Sequence, residues 1–137
     1  MGRSAELTLE WADGDYLFAL KWGQLVELQE KTDAGPYFLL SRLHDGNWRV
    51  GDIREVIRLG LIGGGMEPIN ALGMVKRYVE DRPPMENLAT AQAILGIAIM
   101  GAPEEKVGKA DAGAEVPKRR SRAAKSASPA STEQGRP

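Results

Sequence analysis

The stretch Gly51-Asp52-Ile53-Arg54-Glu55-Val56-Ile57-Arg58-Leu59-Gly60-Leu61-Ile62-Gly63-Gly64-Gly65 decides how the rest of the chain is read. Ile53, Val56, Ile57 and Leu61 stand at i, i+3, i+4 and i+8, with Gly60 at i+7, which is one face of an α-helix. Three glycines then stop the helix without offering a catalytic side chain. A phosphate loop needs its glycines ahead of a helix, where backbone N–H groups face the anion. Here they follow one, and no Gly-Lys-Ser/Thr completes a nucleotide motif. The order predicts a flexible connector, with Met66-Glu67-Pro68 opening the next helix.

Upstream, the period changes. Leu7, Leu9 and Trp11 alternate with Glu6, Thr8 and Glu10, and after Asp13-Gly14 the alternation resumes with Tyr16, Phe18 and Leu20. Asp-Gly is a strong two-residue hairpin signal, because both central positions of a type I′ turn need positive φ. Pairing across Asp13-Gly14 sets Trp11 against Tyr16, Leu9 against Phe18 and Leu7 against Leu20. Opposed residues share a face, so all six apolar side chains point one way. A two-stranded ribbon is marginal alone, so that face must lie on helices.

Five helical segments follow the ribbon. Gly23 to about Lys31 carries Leu25, Val26 and Leu28; Gly35-Pro36 starts a short helix with Phe38, Leu39 and Leu43, closed by Asp45-Gly46. The third is the opening stretch. Pro68 to about Asp81 places Ile69, Leu72, Val75 and Val79 on one stripe, opposite Lys76, Arg77 and Glu80. Arg82-Pro83-Pro84 then breaks the helix. A last helix, the fifth helical segment, runs from about Glu86 to Met100. It holds Leu88, Ala91, Ile94, Leu95 and Ala98, with Ile97, Ile99 and Met100 added. Its second half is apolar nearly all round, more than a helix with one core face needs. The fold class expected is α+β: an N-terminal β-hairpin packed on a small helix bundle.

Residues 1–102 are read as one domain and 103–137 as a disordered tail, since Lys, Ala, Ser, Pro, Gly and Arg dominate after Pro103. At 137 residues, one modest core is expected. Net charge is −1 overall, but residues 1–102 hold 10 basic and 14 acidic groups while the tail holds 8 and 5. No cysteine is present, which excludes disulfides and thiolate metal sites. The N-terminus lacks the apolar run of a secretory signal, and Ala93 to Met100 is far too short to span a bilayer. A soluble, cytoplasmic protein is the expectation.

Candidate chemistry is thin. His44, the single histidine, precedes the turn Asp45-Gly46 and has no nucleophile beside it, so a surface role is expected. Asp13 and Asp15 suit the hairpin turn, and Glu27, Glu30, Glu80 and Asp81 suit solvated helix faces. No catalytic residue, metal ligand or cofactor site is predicted. The cluster Lys118-Arg119-Arg120-Ser121-Arg122 allows weak, salt-sensitive nucleic-acid binding, but no aromatic interleaves it to stack on bases. Trp22 is expected in the core. Trp48 reads either as a staple at the entry of the third helix or as an exposed anchor for a partner.

The ribbon with Asp13-Gly14, the run Leu25-Val26-Glu27-Leu28-Gln29-Glu30 and Gly35-Pro36 make a pattern with three further pieces. These are Trp48-Arg49-Val50-Gly51-Asp52-Ile53-Arg54, Arg58-Leu59-Gly60-Leu61-Ile62-Gly63-Gly64-Gly65 and Tyr78-Val79-Glu80-Asp81-Arg82-Pro83. Over roughly residues 5–102 this pattern resembles a small tail-module family of gene transfer agents and phages, described as tail assembly chaperones or as tail tube proteins. The resemblance implies a non-enzymatic role in tail building, with the tape measure protein and the tail tube protein as partners. A chaperone of that kind holds the tape measure protein soluble until tube subunits polymerise round it. Trp48, Ile94, Ile97 and Met100 are the residues expected to meet such a partner. A structural tail tube component is the alternative, although one short hairpin supplies little strand for stacking rings.

Overall fold

The structure, a computed structural model, describes residues 5–101. Two strands, β1 (Glu6–Trp11) and β2 (Gly14–Ala19), form an antiparallel hairpin. Five α-helices follow: α1 (Trp22–Thr32), α2 (Pro36–Asp45), α3 (Val50–Gly63), α4 (Pro68–Val75) and α5 (Leu88–Met100). A π turn, Lys76–Glu80, extends α4, and a 3-10 turn, Pro84–Asn87, leads into α5. The α+β class read from the sequence is the observed one. The expected disordered segment, 103–137, lies outside the described residues.

Local chemistry explains the boundaries. Pro36 and Pro68 occupy first helical positions, where the missing N–H costs nothing. Gly46 ends α2 with φ of 89°, a left-handed conformation that glycine enters without a Cβ penalty. After α1, Asp33 does the same job at φ 56° and ψ 42°, which Asp tolerates better than most residues.

The hairpin pairs Leu7 with Phe18, Leu9 with Tyr16 and Trp11 with Gly14. The expected register is therefore corrected by two residues. The loop is Ala12-Asp13, not Asp13-Gly14; Ala12 takes the positive φ of 57°, and the Tyr16 hydroxyl donates to the Asp13 carboxylate. A two-residue shift preserves the pleat, so Leu7, Leu9, Trp11, Tyr16 and Phe18 still share a face. Leu20, just past β2, is buried as well.

That face rests on α3, the centre of the fold. Ile53, Val56, Ile57, Leu59 and Leu61 are all within 1% of full burial. Each such aliphatic side chain contributes about 1.5–3 kcal/mol by leaving water. The burial of Leu59 goes beyond the single face read from the sequence, because β2, α1, α4 and α5 all pack round this helix. Trp11 closes one end of the core, edge-to-face with Tyr16, Phe18 and Tyr78 at 5.8 Å each.

Gly63 and Gly64 are not a flexible connector, and that expectation is overturned. A Cβ on Gly63 would sit 1.8 Å from the Ala19 carbonyl oxygen, and one on Gly64 2.0 Å from that of Leu17. The glycines let the end of α3 lie directly on the β2 backbone. Gly60, one turn earlier, opens room for Ile94 and Phe18, each 3.2 Å from where its Cβ would be.

Two further expectations fail. Trp22 is 82% exposed, because it opens α1 on the side away from α3. On α4 the buried residues are Ala71 and Val75, continued by Val79 of the π turn, while Ile69 and Leu72 face solvent. The wider π turn, closed by Asp81 N–H donating to the Lys76 carbonyl, keeps Val79 in line with Val75.

Candidate partner surface

The charged and uncharged helices have exchanged the places that composition suggests. α3 carries Asp52, Arg54, Glu55 and Arg58 and is nonetheless central; its ions are paired with one another or with neighbouring elements, Asp52 and Glu55 buried and Arg54 and Arg58 partly exposed. Arg42 of α2 grips Asp52 with two hydrogen bonds, Nε to Oδ2 at 3.0 Å and Nη2 to Oδ1 at 2.8 Å. Asp52 also accepts from the Arg49 backbone N–H at 2.8 Å, satisfying a donor that the first turn of α3 leaves open. Arg42 further donates to the Thr32 carbonyl at the end of α1, and lies over the Phe38 ring. One side chain thus fastens three helices.

A second network runs along α3. Arg58 donates to Glu55 at 2.7 Å and to Glu27 of α1 at 3.1 Å. Arg54 pairs with Glu55 and, at 2.5 Å, with Glu80 of the π turn. The Glu55 hydrogen bond foremost, then its charge and that of Glu27, raise the Arg58 pKa against the opposing effect of burial. The Arg54 hydrogen bond holds the Glu80 carboxyl below its ordinary value. These ions hold helices together.

α5 is the reverse case. No residue from Leu88 to Met100 is ionisable, yet only Ala91, Ile94 and Leu95 are buried. Ala89, Ala93, Ile97 and Met100 recur at helical spacing on the opposite side. Ala89 is exposed, Ala93 and Ile97 are half-buried, and Met100 is 61% exposed. Met100 reaches back so that its Cε would touch a Cβ placed on Gly96, at 3.8 Å. The result is an outward helix face of small and aliphatic side chains.

Of the four residues expected to meet a partner, Ile97 and Met100 lie on this face. Ile94 does not: at 2% exposure it packs in the core beside Gly60, so it leaves the candidate surface. Trp48 is half-buried against the core, at the entry of α3 and away from α5 in sequence. Sequence reasoning missed other exposed apolar groups, notably Tyr37 (71%) and Phe38 at the start of α2 and Ile69 on α4. Periodicity set Ile69 on a stripe expected to face the core, and Tyr37 was on no stripe at all.

Other sites are weak. A cleft of about 310 Å³ between α3 and the π turn is lined by Val50, Ile53, Arg54, Val79, Glu80 and Pro84 among others. Among the described residues no group of His, Asp and Glu could hold a metal ion, and His44 is exposed. No helix among them is long and apolar enough to cross a membrane.

This small body with buried ions and an apolar outer helix has a counterpart among known families. Residues 4–101 match the family described as phage tail tube protein, GTA-gp10. The chain belongs to that family. The match covers the described body, hairpin and all five helices, and stops at the end of α5. The family of phage and gene transfer agent tail proteins is structural, so a structural role in the tail follows. Neither the curated proteins nor the solved structures contain a match to the chain.

Proposed function

We propose that this member of the tail tube family acts as an assembly chaperone for the tape measure protein, in the cytoplasm of a bacterial host. The observation that carries the reading is the outer face of α5, apolar and free of charge on a helix that the core only half needs. A surface of this kind suits the apolar helices of a long partner, and methionine at its end adapts to irregular packing. The second reading, a building block of the tube itself, is favoured by the family's own description. Against it stands the sheet: among the described residues there are two strands, one of whose edges α3 already covers.

The test is co-purification with the tape measure protein. Ile97→Asp and Met100→Asp, each checked for folding by circular dichroism, should reduce capture about tenfold or more, since burying either side chain is worth about 1.5–3 kcal/mol. Deleting residues 103–137 should reduce it little. Retained capture by both folded variants sinks the α5 interface. Assembly of the purified chain into rings or tubes, without the tape measure protein, supports the tube reading instead.

A further inference from the structure

The two edges of the hairpin end differently. With Ala12-Asp13 as a two-residue loop, Trp11 and Gly14 exchange backbone hydrogen bonds, and so do Leu9 with Tyr16 and Leu7 with Phe18. The backbone groups of Leu17 and Ala19 on β2, and of Thr8 and Glu10 on β1, therefore point out of the ribbon. On β2 that edge is closed, since the Leu17 and Ala19 carbonyls lie against Gly64 and Gly63. On β1, Thr8 and Glu10 are exposed, and no backbone hydrogen bond from beyond the ribbon reaches either among the described residues. An open strand edge is a template for another strand.

We propose that the edge of β1 is a strand-addition site for an extended segment of a partner protein that carries lysine or arginine at alternate positions. Charge identifies the occupant. Glu10 stands directly opposite Asp15, both exposed and acidic, and neither joins a salt bridge among the described residues. Like charges directly opposed destabilise a hairpin, and a cation on an added strand next to Glu10 relieves them. The nearest cleft holds one cation, Arg82, and Glu86 takes it at 3.1 Å. A second copy of this chain is a poor occupant. Antiparallel pairing of two β1 strands centred on Thr8, whose outward groups then face each other, sets Glu6 opposite Glu10 twice.

The strand-addition proposal is drawn from the open β1 edge and its charge, and does not depend on the reading of the α5 face. Its test is amide hydrogen exchange, read by NMR on the full chain. The probes are two synthetic peptides, one alternating lysine with valine, the other glutamate with valine. The lysine peptide should slow exchange at Thr8 and Glu10 by about tenfold or more, with the effect fading as salt is added. The glutamate peptide should leave both amides unchanged. Thr8→Pro removes an outward donor while the ladder donors at Leu7, Leu9 and Trp11 remain, and it should abolish the peptide effect at Glu10. Glu10→Lys, a second variant that leaves the backbone alone, should weaken the lysine peptide's effect. No slowing with either peptide, or equal slowing with both, overturns the proposal and leaves the acids as guards of an idle edge. Slowing that needs no peptide and grows with protein concentration overturns it in favour of a second copy.

Discussion

Arg42 and Asp52 meet in a buried fork, two hydrogen bonds of 3.0 and 2.8 Å between side chains that are 7% and 2% exposed. Ten residues separate them in sequence, and between them they bring the end of α1 and the start of α3 to one point. A pair so placed contributes most through what happens when half of it is missing.

Arg42→Leu should therefore cost about 3–5 kcal/mol, because it strands a buried carboxylate. The double variant Arg42→Leu with Asp52→Leu should recover much of that loss. Urea unfolding midpoints of the two single variants and the double one give the coupling directly. Additive losses would mean that the two side chains act independently.

Gly63→Ala should destabilise by about 3 kcal/mol or more, since the new methyl meets the Ala19 backbone, which cannot swing aside. Gly73→Ala on α4 is the control, with nothing within 4 Å of its added Cβ. It should stabilise by about 0.5–1 kcal/mol by restricting the unfolded chain. Thermal melts of the pair, with opposite signs expected, separate close approach from helix propensity.

Asn87→Ala should cost about 1–3 kcal/mol. Asn87 accepts from Trp11 Nε1 at 2.8 Å and donates to the Tyr78 carbonyl at 2.9 Å, so its loss leaves a buried indole donor unsatisfied. Asn87→Asp keeps the acceptor but sets a buried carboxylate against the Tyr78 carbonyl oxygen, so it should cost at least as much as Asn87→Ala at neutral pH. Chemical denaturation ranks them.

The Glu80 carboxyl is held below its ordinary value of 4.5 by Arg54. The folded state thus binds the Glu80 proton less tightly than the unfolded state. The stabilisation is present above pH 4.5 and is lost as pH falls through the folded-state value. Glu80→Gln should flatten stability against pH in that acid window, lowering stability above pH 4.5 and leaving it little changed once Glu80 is protonated in both states. Urea midpoints across the acid range measure it, and because the group is exposed the difference should shrink with salt.

Much of this body was legible from local chemistry. Pro36, Gly46 and Pro68 mark helix ends by what their own backbones permit, and the alternation from Leu7 to Phe18 set the hairpin's faces even with the turn placed one residue late. What stayed hidden depends on contacts between distant segments. Gly63 and Gly64 look like any loop glycines until β2 is laid against them. Trp22 is apolar enough for any core, and only the direction of α1 sends it to solvent. On α4 the larger Ile69 and Leu72 outweigh Ala71 in any apolar stripe, and only packing against α3 shows that Ala71 is the residue turned inward. For the partner surface, composition singled out α5 as too apolar. Which of Ile94 and Ile97 faces outward was fixed by Gly60, whose missing side chain gives Ile94 its place inside.

The lack of any ionisable group on α5 also sets what could undo a contact made through it. No proton can be taken up or released there, and no counterion is displaced when a partner lies down on it. Acid and salt, the usual means of prising proteins apart, have nothing on this helix to act upon directly. What remains are dilution, competition by another apolar surface, and cold, under which the attraction between apolar surfaces weakens. A complex held this way would dissolve by handover to the next apolar surface in line, not by a change in the medium around it.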